Sequence, residues 1–207
     1  MSLGRLFRLA NSAVLEFYQA TATAGSSVKT SRASATEPRM AAAATITENT
    51  DNPQRLYEIL SGLAMLGRDM PVVLPLHPRT RLLTHQHRLQ ALLDGLLVVD
   101  PLSFLDMVAL EQSAAVIITD SGGVQKEAYF YGVPCVTTRD ETEWVETVLS
   151  GRNCFVGASA EKLTSAVQQC MQNGRTAPTE FPYGRGDASE KILSKIVSSF
   201  ATVLVSI

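Results

Sequence analysis

This sequence has little that would suit a metal or redox centre, with three cysteines and three histidines in 207 residues. Cys135, Cys154 and Cys170 are odd in number and share no metal-ligand spacing. They read as reduced, mostly buried thiols, which favours a cytoplasmic protein without a metal site. A Ser-His-Asp arrangement, a cluster of metal ligands and a Walker-type loop are all missing. No apolar run approaches the ~20 residues of a spanning helix, so no membrane segment is expected. The 18 basic and 20 acidic residues leave a net charge of -2 and a pI of about 5.9, with no basic surplus to attract nucleic acid. Aromatic residues make up only 6%, and Trp144 is the one tryptophan. What is present is apolar: 45% hydrophobic residues, enough in a chain of this length to bury a core of its own as one ordinary globular domain.

The chain changes character near residue 40. Leu6, Leu9, Ala13 and Phe17 stand at helical spacing and predict an amphipathic helix over 5–20, and residues 21–39, rich in Ala, Thr, Ser and Gly, have the composition of a flexible linker. Arg5, Arg8 and a first acidic residue as late as Glu16 would also suit an organelle transit peptide; the plainer reading of 1–39 is an unmatched or artificial N-terminal extension. From residue 40 short apolar runs alternate with helical stretches. Strands are expected at Met40–Ile46, Val72–Leu76, Leu96–Val99, Ala115–Thr119, Pro134–Thr138 and Asn153–Val156. Between them Asn52-Pro53 opens a helix through Leu66, and further helices are expected over Thr80–Leu93, Ser103–Ser113, Val124–Tyr131, Ala160–Gln172 and Ala188–Leu204. This alternation predicts an α/β domain over 40–207, a Rossmann-like parallel sheet with helices on both faces. Ligands of such sheets bind beyond the carboxyl ends of the strands.

One stretch at that edge carries most of the chemistry: Thr119-Asp120-Ser121-Gly122-Gly123-Val124-Gln125-Lys126-Glu127-Ala128. A strand, a Gly-Gly turn and a helix form a phosphate-binding geometry. Two glycines let an anion approach the backbone, and the free N–H groups and dipole of the helix start favour negative charge. Ser121 adds a hydroxyl near the N-cap, and the Glu127 carboxylate suits paired ribose hydroxyls better than phosphate. The pattern therefore suggests a nucleotide, with phosphate on Ser121, Gly122 and Gly123 and ribose on Glu127; the alternative is a tight βα turn whose serine merely caps the helix. His77 follows the second strand and should project at the same edge, either contacting a ligand or satisfying a loop carbonyl beside Pro78. Arg139 follows the strand at 134–138 and can pair with a phosphate, with Asp140 or with Glu143.

Ser121-Gly122-Gly123-Val124-Gln125-Lys126-Glu127-Ala128, with Gly132-Val133-Pro134 and Arg139-Asp140-Glu141-Thr142-Glu143-Trp144, closely resembles the non-hydrolysing UDP-N-acetylglucosamine 2-epimerases. The likeness runs back through Leu74-Pro75-Leu76-His77-Pro78-Arg79 and Glu48-Asn49-Thr50-Asp51, and forward to Tyr183-Gly184-Arg185-Gly186-Asp187. The resemblance implies one half of a GT-B fold, the nucleotide-binding C-terminal domain, with no counterpart here of the first domain. It implies UDP or a UDP-sugar as ligand, no cofactor, and a reaction that inverts C2 of the N-acetylglucosamine ring through elimination and re-addition of UDP. It also places Met107 near the uracil pocket and gives His77 a substrate or effector contact, although helix packing explains Met107 equally well.

One departure stands out. The family has His-Arg-x-Glu-Asn where this chain has Thr45-Ile46-Thr47-Glu48-Asn49, so no imidazole stands at that place. Threonine offers neither a proton that titrates near neutrality nor a cationic phosphate contact. With the family's proton-transferring carboxylates assigned to the first domain, no catalytic residue is expected in this chain, and weak or no activity is expected of it alone. Alternatives are a nucleotide-sugar-binding subunit that needs a separate N-terminal partner, and a GT-B glycosyltransferase-like domain. An open half-cleft would also favour a homodimer.

Overall fold

The computed structural model describes residues 39–42, 49–176, 182–184 and 187–205, so the expected helix over 5–20 and the linker lie outside the described residues. The described residues up to 176 form one compact unit and those from 182 onward another. In the first unit six parallel strands, β1 (Arg39–Ala42), β2 (Val72–Pro75), β3 (Leu97–Val99), β4 (Ala114–Thr119), β5 (Cys135–Thr137) and β6 (Asn153–Phe155), lie in the order β3-β2-β1-β4-β5-β6. The order reverses between β1 and β4, where the register runs Ala41 opposite Ile117 and Ala42 opposite Ile118. That reversal is the switch point at which open parallel sheets leave a crevice at their carboxyl edge.

Side-chain alternation along the strands builds a core on each face of the sheet. Val72, Leu74, Val116, Ile118 and Val136 face one way and pack with Leu56, Ile59, Leu60 and Leu63 of α1 (Pro53–Leu66) and with Leu163 and Val167 of α6 (Ala160–Asn173). Val73, Ile117 and Cys135 face the other way, against Leu110 of α3 (Phe104–Ser113) and Val124 and Ala128 of α4 (Gly122–Tyr131). The expected α/β architecture with helices on both faces is therefore present.

Local signals set most boundaries. The Asn52 side chain accepts from the N–H groups of Gln54 and Arg55, with Pro53 in the first turn of α1. Ser103 caps α3 by accepting from Asp106 N. α4 ends at Gly132, whose φ of 65° is the left-handed conformation a helix stop needs. The single helix expected over 80–93 is instead two pieces, α2 (Pro78–Gln86) and a 3-10 turn at Gln90–Leu93. Leu89 N donates to Thr84 O at 2.8 Å and Arg88 N to His85 O at 3.2 Å, a Schellman closure that puts Arg88 at φ 59°. A short helix α5 (Val145–Leu149) was not anticipated. The second unit contains α7 (Ala188–Val205), where Asp187 pairs with Lys191 at 2.9 Å.

Candidate functional site

Strand ends and helix starts bring the polar residues of the carboxyl edge together at the switch point. β4 ends in Thr119, and the buried Asp120 and half-buried Ser121 follow it. Ser121 N donates to Thr119 Oγ1 at 3.0 Å, which fixes the turn, and Ser121 is the N-cap residue of α4. Its hydroxyl makes no capping bond within the helix. Gly122 and Gly123 form the first helical turn. A Cβ on Gly122 would stand 2.8 Å from Trp144 Nε1, so the indole lies flush against the turn. A Cβ on Gly123 would meet only Ser121 Oγ, at 3.7 Å, an ordinary contact. Gly122 thus answers to packing, whereas Gly123 leaves the exposed side of the turn open.

Asn49, 1% exposed, spans the switch point. Its Nδ2 donates to the Thr138 carbonyl at 2.9 Å and, at 3.5 Å, to Asp120 Oδ2. Arg55, in the first turns of α1, donates through Nε to Asn49 Oδ1 at 2.7 Å and through Nη1 to Asp140 Oδ2 at 2.8 Å. Asn49, Arg55, Arg139, Asp140 and Glu141 line a cavity of about 240 Å³. A second cavity, of about 310 Å³, lies at the opposite, amino edge, around Gly132, Pro134, Arg152, Cys154 and Cys170.

Of the three partners open to Arg139, its guanidinium takes Glu143, with Nη1 3.3 Å from Oε2 and Nη2 3.2 Å from Oε1. A main-chain hydrogen bond and that guanidinium hold the Glu143 carboxyl below its usual range. The loop carrying them is tied to α4 by a polar network that motif reading missed. Gln125, fully buried, accepts on Oε1 from Thr142 Oγ1 at 2.8 Å and from Asn153 Nδ2 at 3.1 Å, and Thr137 Oγ1 donates to Asn153 Oδ1 at 2.6 Å. Lys126 Nζ sits 3.8 Å above the Trp144 ring, closing the other side of the loop by a cation–π contact.

The remaining expected residues are more dispersed. His77 is exposed at the end of β2 and caps α2, its Nδ1 accepting from Arg79 N at 3.2 Å. Met107 is partly buried on α3, packed against the second core. Glu127 is half-buried on α4 and meets Glu111 of α3. Glu111 is 1% exposed, and among the described residues no donor reaches either of its oxygens. Two carboxyls in contact hydrogen-bond only if one keeps its proton. Burial first, and then the charge and hydrogen bond of Glu127, push the Glu111 carboxyl up to about 8. Burial also pushes the Cys135 and Cys170 thiols up to about 12, which leaves them unreactive near neutrality. Among the described residues no cluster suited to a metal ion occurs and no helix is long and apolar enough to cross a membrane.

An all-parallel sheet of this strand order, with a Ser-Gly-Gly turn opening a helix at the switch point, defines a Rossmann-like domain of the GT-B kind. The chain belongs to the UDP-N-acetylglucosamine 2-epimerase family, whose model matches residues 14–197. That match reaches further back than the motifs quoted above. The chain is 44% identical over 147 residues to UDP-2,3-diacetamido-2,3-dideoxy-D-glucuronate 2-epimerase of Pseudomonas aeruginosa, covering 70% of this chain and 40% of that protein. It is 37% identical to UDP-N-acetylglucosamine 2-epimerase of Methanocaldococcus jannaschii, covering 70% of this chain and 41% of the relative. The crystal structure of the M. jannaschii enzyme in complex with UDP-GlcNAc and UDP superposes with a TM-score of 0.69 at 33% identity, over 77% of this chain and 45% of that one. The chain thus spans about two-fifths of the length of these curated relatives.

Proposed function

We propose that this chain is the nucleotide-holding half of a 2-epimerase acting on a UDP-linked 2-acetamido sugar. The observation that carries this reading is the Ser121-Gly122-Gly123 turn at the start of α4, placed at the sheet's switch point with Glu127 five residues after Gly122. The main-chain N–H groups of the turn and the Ser121 hydroxyl take the diphosphate, and the Glu127 carboxylate takes the ribose hydroxyls. His77, Arg139 and Met107 are the further substrate or effector contacts of this reading, with Met107 toward the base. In the reaction the domain retains UDP while the sugar loses and regains it. Thr45 and Ile46 replace the family's histidine and arginine, so this chain supplies no imidazole there and the purified chain should epimerise weakly or not at all. A separate N-terminal partner, or a second copy of the chain, would complete the cleft.

A second reading of the sugar is favoured by the 44% identity to the Pseudomonas enzyme, whose substrate is a diacetamido uronate. Competition between UDP-N-acetylglucosamine and the UDP-diacetamido uronate for the same site separates the two. The nucleotide reading is tested by calorimetric titration of UDP into the parent chain and Glu127→Ala. Saturable binding that weakens at least about tenfold in the variant supports it, about 1.4 kcal/mol of lost contact. No binding by the folded parent at roughly millimolar UDP refutes it.

A further inference from the structure

Glu111 is costly where it stands. It is 1% exposed, in the contact between α3 and α4, and the described residues offer neither of its oxygens a donor. A buried carboxylate without donors or a cation is strongly disfavoured, so the group either finds a counter-charge or keeps its proton. Among the described residues no cation pairs with it. From α4 the groups that face it are the Glu127 carboxyl and the Tyr131 phenol, one turn apart, and from β5 the buried Cys135 thiol. β4 carries no titratable residue, and in β1 only Arg39 does, at the residue that begins the strand. Arg175 reaches this region but donates to the main-chain carbonyls of Gln112, at 2.8 Å, and Tyr131, at 3.4 Å. Among the described residues no cation is paired with Glu111, and the side chains that meet it are an acid, a phenol and a thiol.

We propose that Glu111 is a positioning residue for the nucleotide: its protonated carboxyl donates to one oxygen of Glu127 across the α3–α4 contact and leaves the other oxygen directed at the ligand. This rests on the reading of Glu127 as the ribose acceptor. Glu127 is half-buried on a flexible side chain, and a hydroxyl pair needs its carboxylate in one orientation. The Glu111 proton supplies that orientation without bringing a further charge into the contact. Loss of the proton would place two carboxylates against each other, and the half-buried one, Glu127, would swing away from the site. Nucleotide affinity is thereby tied to pH through a residue that never touches the nucleotide.

The test is calorimetric titration of UDP at about pH 7 and about pH 9 with the parent chain and Glu111→Gln, which keeps a donor and cannot ionise. The ligand's own ionisation cancels in the ratio of the two affinities. The variant should match the parent at the lower pH, and the ratio of parent to variant should fall about fivefold or more at the higher one. Parallel profiles, or loss of binding by the folded variant at the lower pH, would overturn the proposal and leave the nucleotide reading standing. Undiminished binding by Glu127→Ala would overturn it as well, and absence of UDP binding by the parent would overturn both. A readout independent of ligand and variant is the infrared C=O stretch of a protonated carboxyl in the parent. That band should persist at about pH 7 and vanish by about pH 9, and its absence at the lower pH would contradict the proposal.

Discussion

Gly62 is the point at which packing and site geometry meet, and Gly62→Ala makes a measurable demand on both. A Cβ there would lie 2.7 Å from Leu163 Cδ2, 3.2 Å from Ala160 Cα and 3.4 Å from Ala160 O. Carbon atoms pack at roughly 3.5–4.0 Å, so α1 and α6 would have to separate by several tenths of an ångström. Leu163 is 1% exposed and has nowhere to turn, and the Ala160 contact is main chain. Overpacking of this kind costs about 1–3 kcal/mol, against which alanine recovers up to about 1 kcal/mol of helix propensity. The net is a loss of about 1 kcal/mol, or about 2–4 °C in Tm for a chain of this size. The shift also moves Glu58, whose Oε2 accepts from Ala160 N at 3.3 Å, and loosens the Arg55–Asp140 contact at the site. Urea unfolding of Gly62→Ala beside Gly95→Ala is the assay. Gly95 has nothing within 4 Å of its added Cβ, so its substitution should be neutral or stabilise by up to about 1 kcal/mol. Equal or greater stability of Gly62→Ala than of the parent would refute the packing argument.

Three other outcomes follow from the same structure. Arg88→Gly should stabilise the chain by about 0.5–1 kcal/mol by relieving the positive φ at the end of α2; destabilisation in a urea melt would count against that stop. Gly122→Ala should lower UDP affinity roughly tenfold, since its Cβ would displace the Trp144 indole and deform the turn, while Gly123→Ala, without such a clash, should retain the fold; calorimetry and circular dichroism read the two effects. The Glu111 carboxyl, at about 8 when folded and 4.5 as a free side chain, contributes stability that is fully present below about 4.5 and is lost as the pH rises to about 8. The parent should therefore lose stability relative to Glu111→Gln across that window. The loss is at most roughly 5 kcal/mol, at about 1.4 kcal/mol for each tenfold difference in proton affinity between the folded and unfolded chain. Unfolding curves with a flat difference would show that Glu111 ionises freely.

Much of this arrangement could be read from residue order because local signals and long-range packing agree. Asn52-Pro53 starts α1 as a cap and a first-turn proline should, and the β-branched run 115–119 forms the central strand. The stop after α2 was illegible because the left-handed position holds Arg88, where glycine would have announced it; the closure is stabilised by main-chain bonds to Thr84 and His85. α5 has only five residues, too few for a helical period to emerge. At the site, the Ser121 turn was visible because glycines and a strand–helix change mark it locally. The roles of Asn49, Gln125, Asn153 and Glu111 depend on partners 16 to 89 residues away. A buried amide or acid at such separation leaves no periodic trace. Its signal is a polar residue inside an apolar face, and Glu111, beside Leu110 on α3, is one.

The most direct test of the nucleotide site is to titrate UDP into isotope-labelled chain and follow the backbone amide resonances. Changes concentrated at Ser121, Gly122, Gly123 and Glu127, with smaller ones at Asn49 and Arg139, are the expected result. Changes confined to the cavity around Arg152 and Cys154 at the opposite edge, or none at saturating UDP, would contradict the assignment of the Ser121 turn as the phosphate site.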